Sequence, residues 1–227
     1  LPIWQGEPVV AIAATSRAIA EDAAALVVID WKELPAVTDM ETALDADTPV
    51  IHADLGDNHA WHREVISGDV DKAFADAVHV VEETFQFGRH TGVTVEPRAI
   101  LADYDPIDER MTVHHSGQGP HFFQAVWANI LDIPETSFRV ISPDVGGSFG
   151  IKIHNYGDEV ATLMLSKILG RPVKFIADRL ESFSSDIHAR DHRVKAKMGL
   201  DADGRIVAFE IDDLTGIGPY SMYPRSS

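Results

Sequence analysis

The chain has 227 residues, no cysteine and a formal charge of −17, which allows one large domain or two small ones with a substantial core and excludes disulfides and thiolate ligands. So negative a chain repels phosphate backbones, which argues against a nucleic-acid partner. No apolar run is long enough to span a bilayer and no signal-peptide pattern is present, so the composition predicts a soluble, cytoplasmic protein without membrane insertion; any associated iron–sulfur cluster must sit on another chain or domain, since clusters rely on cysteine thiolates.

In chain order, residues 8–14 form a short apolar run, Ser16 is placed to cap an alanine-rich helix from 17 to about 26, and 27–31 reads as a second strand. Residues 38–64 show little periodicity and many acidic side chains, the pattern of an extended connection. Asp69 opens a short helix carrying Ala73, Phe74 and Ala77 on one side, and 78–87 alternates as a half-buried strand does. Residues 99–104 and 111–116 read as strands joined by a polar turn.

Pro120 suits the first position of a helix with Phe122, Phe123, Val126, Ile130 and Leu131 as its apolar positions, ending before Pro134. A strand at 138–142 follows. Val160, Leu163, Met164 and Ile168 then fall at helical spacing, and Gly170 with Pro172 gives a strong stop. The spacing predicts one more strand at 173–177 and a hairpin of 192–200 with 205–212 around Asp201, Ala202, Asp203 and Gly204. The chain starts at Leu1 and ends in a turn-rich stretch, 219–227, and reads as a piece of something longer.

The most informative segment is Asp144, Val145, Gly146, Gly147, Ser148, Phe149 and Gly150, between a strand-like and a helix-like run. Glycine costs roughly 1 kcal/mol inside regular structure, so this clustering marks either a tight connection between packed elements or a backbone that comes close to a ligand. In the second case, successive freed amides point at one anionic oxygen or phosphate. Gln118, upstream, favours that case.

Ser-Gly-Gln-Gly-Pro at 116–120, a helix, a strand, and Val-Gly-Gly-Ser-Phe-Gly-Ile-Lys at 145–152 together resemble the molybdenum-binding large subunit of the xanthine dehydrogenase and aldehyde oxidase family, most closely its carbon monoxide dehydrogenase-like branch. The resemblance extends through Gly-Glu-Pro-Val at 6–9, Ala-Glu-Asp-Ala at 20–23, Leu-Pro-Ala at 34–36, Gly-Asp-Val-Asp at 68–71 and Glu96 with Pro97. It continues with Leu-Gly-Arg-Pro-Val-Lys at 169–174, Asp-Arg-Leu-Glu-Ser-Phe at 178–183, Arg190 and His192.

It implies an α+β fold: residues 1–36 as the C-terminal part of an α/β-hammerhead domain, 37–66 as a linker, and 67–227 as an incomplete first molybdopterin-binding domain with mixed sheets. It implies a molybdenum–molybdopterin cofactor, the cytosine dinucleotide form included, with the metal carried by the pterin's dithiolene sulfurs and no metal ligand from this chain. Gln118 is implied to hydrogen-bond an oxo ligand of molybdenum, a task that suits an amide donor. Gly146 and Gly147 are implied to make room for the pterin, and Ser148, Phe149 and Gly150 to approach the same centre, with Phe149 as a wall.

The implied activity is oxidation of a small aldehyde, heteroaromatic or similar substrate with water-derived oxygen, electrons leaving to an iron–sulfur subunit and a flavin (FAD) subunit of an oligomer. Ile153 stands where xanthine-oxidising relatives carry a substrate-orienting glutamate, which disfavours purines. The family's general-base glutamate belongs to the remaining part of the large subunit, beyond Ser227. Without it, hydroxylation loses about two to four orders of magnitude, so the isolated chain is expected to be inactive. The alternative is a non-catalytic module that only assembles subunits on the same scaffold.

Other chemistries fit the residues less well. His114 and His115 point to opposite faces of a strand, and with His121 find no carboxylate at ligand spacing. The glycine bend lacks the spacing of a dinucleotide loop. Asp158 and Glu159 sit where acidic residues favour a helix N-terminus. Glu96 and Glu181 read as structural, with Arg179 a partner for one of them.

Overall fold

Period-two burial in two neighbouring segments builds the central sheet. In β2 (Ala99–Asp105) and β3 (Arg110–His115), Ile100, Ala102, Met111, Val113 and His115 are buried while Leu101, Asp103, Thr112 and His114 are not. The two strands pair antiparallel, with Ala102 opposite Val113. The structure, a computed structural model, describes residues 2–220, so the final part of the turn-rich stretch at 219–227 lies outside the described residues.

The chain forms two compact units, one comprising the segment up to Trp31 with Thr91–His188, the other Lys32–His90 with Ala189–Tyr220. In the first unit the sheet order is β4-β3-β2-β5, with β4 (Phe138–Ile141) parallel to β3 and β5 (Val173–Ile176) antiparallel to β2. The parallel pair is joined by α3 (Pro120–Leu131), a β-α-β crossover. Pro120 takes the first helical turn as expected, and Asp132 ends the helix in the left-handed region.

The buried face of α3 is Phe123, Trp127, Ala128 and Leu131; Ile130, expected inside, is half exposed, and Trp127, four residues beyond Phe123, takes its place. α4 (Gly157–Leu169) follows the glycine bend, buries Leu163 against the same sheet face, and stops at Gly170 in the left-handed conformation. These side chains form one core with Ile100, Ala102, Met111, Val113, Ile133 and Phe138.

Other expectations in this unit need correction. Ser16 caps α1 (Arg17–Ala24) by accepting from Ile19 N at 3.3 Å, but the segments 8–14 and 27–31 are neither strand nor helix. Both leave apolar side chains such as Val10 and Val28 in solvent, and neither finds a strand to pair with among the described residues. An extra helix, α5 (Arg179–Ser185), stands where no helix was expected, started by a capping box between Asp178 and Glu181. Glu181 is therefore committed to the cap, and Arg179 donates to the Val95 carbonyl at 2.9 Å rather than to either glutamate.

The second unit contains α2 (Val70–Asp76), begun by Asp69 as its cap, and a three-stranded antiparallel sheet. Its order is β1-β6-β7, from β1 (His79–Phe87), β6 (His192–Leu200) and β7 (Ile206–Thr215). Phe74 and Ala77 pack where Gly199 leaves no side chain. β1 is an edge strand and exposed along its whole length, not half buried as its alternation suggested.

Candidate functional site

Parallel neighbours start their following loops at the same edge of a sheet. Because β3 and β4 are parallel and adjacent, the Gly117-Gln118-Gly119 segment after β3 and the bend after β4 meet there, across thirty residues of sequence. Strand ends of this polarity are where open α/β sheets hold ligands. β2 runs antiparallel to β3, so the residues preceding it, Glu96 and Arg98, arrive at that edge too.

The hydrogen bonds show how closely the segments converge. Ser148 Oγ donates to Gln118 Oε1, Gln118 N donates to the Lys152 carbonyl at 3.1 Å, and Lys152 N donates to Ser148 Oγ at 3.1 Å. With its oxygen so engaged, the exposed Gln118 amide keeps Nε2 without an acceptor among the described residues. The backbone amides of Gly147, Ser148, Phe149 and Gly150 likewise meet no acceptor among the described residues.

The bend uses its glycines in two ways. A Cβ at Gly146 would lie 2.5 Å from the Cβ of Glu96, so only hydrogen fits. Gly147 (φ +95) and Gly150 (φ +91) take left-handed conformations, and open space surrounds the position of a Cβ on Gly150. Between them Phe149 is held at φ 50 with its ring 78% exposed. A bulky residue adopts that backbone only where its surroundings impose it.

Glu96, expected to be merely structural, is the fastening. Its Oε2 accepts from Gly146 N at 2.7 Å and from Lys152 Nζ at 2.7 Å, and its own N–H donates to the Gly146 carbonyl at 3.2 Å. Burial opposes its ionisation, but the hydrogen bonds from Lys152 and Gly146 and the lysine's charge prevail and hold the carboxyl below its ordinary range.

Behind this edge lies a buried charged cluster that the sequence reading missed. The Arg98 guanidinium, 1% exposed, makes a bidentate pair with Asp158 at 2.6 and 2.7 Å and bonds Asp186 at 2.6 Å and Ser185 Oγ at 3.1 Å. It lies 3.8 Å above the Tyr156 ring and 3.4 Å from Glu159, which also meets His115 Nε2 at 3.1 Å. Burial works against the charged guanidinium, yet the bonds and charges of Asp158, Glu159 and Asp186 drive its pKa upward. Burial also raises Asp186 and Tyr156.

Asp158 and Glu159 do stand in the first turn of α4, but their partner is Arg98, 60 and 61 residues away. His114 and His115 do face opposite sides, His115 buried among Phe123, Trp127 and Glu159. Among the described residues no group of three or more His, Cys, Asp or Glu side chains is arranged to hold a metal ion.

A mixed sheet whose parallel strand ends present a side-chain amide and a glycine bend of N–H groups without acceptors among the described residues is suited to hold an anionic ligand. Residues 51–226 match the molybdopterin cofactor-binding domain, and the chain belongs to that family. It is 36% identical over 223 residues to the nicotine 6-hydroxylase large subunit of Paenarthrobacter nicotinovorans, covering 98% of this chain and 27% of that protein. To the carbon monoxide dehydrogenase large chain of Hydrogenophaga pseudoflava it is 32% identical over 230 residues, covering 96% and 29%. The crystal structure of quinoline 2-oxidoreductase from Pseudomonas putida 86 superimposes with a TM-score of 0.85 at 36% identity, over 93% of this chain and 27% of that one. The chain thus spans little more than a quarter of the length of these relatives. No helix among the described residues is long and apolar enough to cross a membrane.

The donor set fits the family's cofactor. A molybdopterin presents anionic and strongly accepting oxygens, and this edge offers hydrogen-bond donors without acceptors among the described residues, with open space at Gly150.

Proposed function

We propose that this chain is part of a molybdenum hydroxylase large subunit that oxidises a small aldehyde, heteroaromatic or similar substrate using water-derived oxygen. The observation that carries the reading is the meeting of Gln118 with the 146–150 bend at the C-terminal ends of β3 and β4. In this reading Gln118 Nε2 donates to an acceptor oxygen of the cofactor, and Gly146, Gly147, Ser148, Phe149 and Gly150 line its approach. Ser148 fixes which end of the Gln118 amide is left to donate, and Phe149 keeps water from one side. When bound, the molybdenum cofactor supplies the two-electron redox chemistry of the hydroxylation.

The domain limits follow the same reading: 1–36 ends a hammerhead domain, 37–66 links, and 67–227 belongs to the first cofactor-binding domain; the family match at 51–226 covers nearly all of the third segment and also takes in residues 51–66 of the linker. Names of relatives, large subunits that include a carbon monoxide dehydrogenase and a nicotine 6-hydroxylase, support partner subunits here, which we assign as iron–sulfur and flavin proteins in a cytoplasmic oligomer. The cytosine dinucleotide form of the cofactor belongs to this assignment, as does discrimination against purines through Ile153. The general base is assigned to the rest of the parent chain.

The test is made on the full-length parent purified with its partner chains. Elemental analysis and fluorescence after oxidation should reveal molybdenum and pterin; a parent with neither refutes the reading. Gln118→Ala should lower kcat about 10²-fold, the typical cost of one preorganised donor, with the melting temperature unchanged. Unaltered turnover would remove the role assigned to Gln118.

A further inference from the structure

Lys152 places a charged ammonium where its side chain is 0% exposed, against a Glu96 side chain that keeps 38% of its surface in solvent. Burying such a pair gains little over burying apolar side chains of the same size, so stability alone is a poor account of it. Its connections suggest another. The Glu96 carboxylate grips the entrance of the bend at Gly146 N and its exit at Lys152 Nζ, both at 2.7 Å. The Lys152 main chain then holds Gln118 through the carbonyl and Ser148 through the N–H, each at 3.1 Å. Ser148 closes the ring onto the Gln118 side chain.

Within that ring sit Gly147, Phe149 and Gly150, all at positive φ. The two glycines adopt that backbone without cost, but at Phe149 it is strain, which persists only where its neighbours over-determine it, and Glu96 and Lys152 tie together the two ends of the bend that holds it. We propose that Glu96 and Lys152 are a positioning pair whose ion-paired clamp sets the distance and orientation between Gln118 Nε2 and the free amides of the bend. For what Gln118 touches, this rests on the functional reading above; for the clamp itself, it rests on the geometry.

Three variants of the full-length parent with its partner subunits test it: Lys152→Met, Glu96→Met and the double substitution. Glu96→Met leaves the buried ammonium without its counter-charge and should be the least stable, whereas the double removes both charges and should recover most of the parent's melting temperature. Gly146 is exposed, so water can take over its N–H. If the clamp positions the site, recovery of stability does not recover geometry. In the double variant, hydrogen exchange at 117–119 and 146–152 should stay about tenfold or more faster than in the parent, with exchange in the α3 core unchanged. kcat should stay about tenfold to a hundredfold down while KM holds, the cost of a site loosened by a fraction of an ångström to one ångström.

Return of exchange rate and kcat to parental values together with stability would mean that the pair is only structural, and would overturn the proposal. If Glu96→Met does not fold, Lys152→Met and the double carry the same comparison. A parent without molybdenum and pterin would end the functional reading yet leave the exchange measurement standing, and unchanged exchange would then end this one.

Discussion

The two sheets of this protein treat apolar side chains in opposite ways. The four-stranded sheet keeps Ile100, Ala102, Met111 and Val113 at 1% exposure or less beneath α3 and α4, whereas the three-stranded sheet leaves Val81, Phe85, Phe87, Phe209 and Ile211 between 51% and 56% exposed. α2 covers only the face of that second sheet that carries Gly199 and Ala208. The candidate site grows from the strand ends of the sheet that has its own core. That placement makes physical sense, because donors aimed at a cofactor must be held to within about half an ångström, and a close-packed support provides this.

Arg98→Met should break the covered side of this comparison most severely. It strands Asp158, Glu159 and Asp186 in the interior with no cation, and removing one partner from such a cluster costs about 3–5 kcal/mol, here at the upper end. Urea unfolding at neutral pH measures it. Lowering the pH should narrow the gap to the parent sequence, since protonation removes the charges that the variant leaves uncompensated. In the intact protein the sign for Asp186 agrees: burial raises its folded pKa, so its contribution is present in acid and is lost as pH rises through that value. A gap that widens in acid would mean that the carboxylates find other partners.

Trp127→Ala comes next, at about 3–5 kcal/mol, because the ring is fully buried and stacked on Phe123 with its Nε1 donating to Asn155 at 2.7 Å. The loss of that hydrogen bond adds an unsatisfied Asn155 oxygen to the cavity. A cost near 1 kcal/mol in urea unfolding would mean that the layer between α3 and the sheet collapses freely onto the vacancy.

Much of the covered unit was legible in the sequence because its signals are local. Pro120 fixes the start of α3 and Gly170 the end of α4, and two runs on either side of a polar turn mark the pair β2 and β3. The segments 8–14 and 27–31 misled because a strand is defined by its neighbour, and apolar composition says nothing of whether one is present. α5 has a local signal too: Asp178 followed by Glu181 three residues on is a helix start, although the serines after it are indifferent helix formers.

The site divides in the same way. Gln118 and the glycine bend were legible as motifs, and a strand, helix and strand between them is the arrangement that makes two loops share an edge. Arg98 was not, since its partners lie 60 to 88 residues away and no local pattern marks a buried arginine. Glu96 and Lys152 are separated by 56 residues. Each looked ordinary alone, and only the fold brings the carboxylate, the ammonium and the Gly146 amide together.

Phe85→Ser sharpens the open side of the comparison and should have the smallest effect. Phe85 sits opposite Val194 on the face turned away from α2, in an edge strand, and is already 51% exposed. A half-exposed surface position gives up little burial, and the loss of strand propensity adds a few tenths, so urea unfolding of this chain should register under about 1 kcal/mol. The contrast with Trp127→Ala is the point: two aromatic truncations in one chain, several-fold apart in cost because one ring has a layer of helices over it and the other has solvent. A cost for Phe85→Ser approaching that of Trp127→Ala would show that the face is covered in solution. Repeating the unfolding at several protein concentrations would then identify the cover, since a second copy of the chain makes the midpoint concentration-dependent and an internal segment does not.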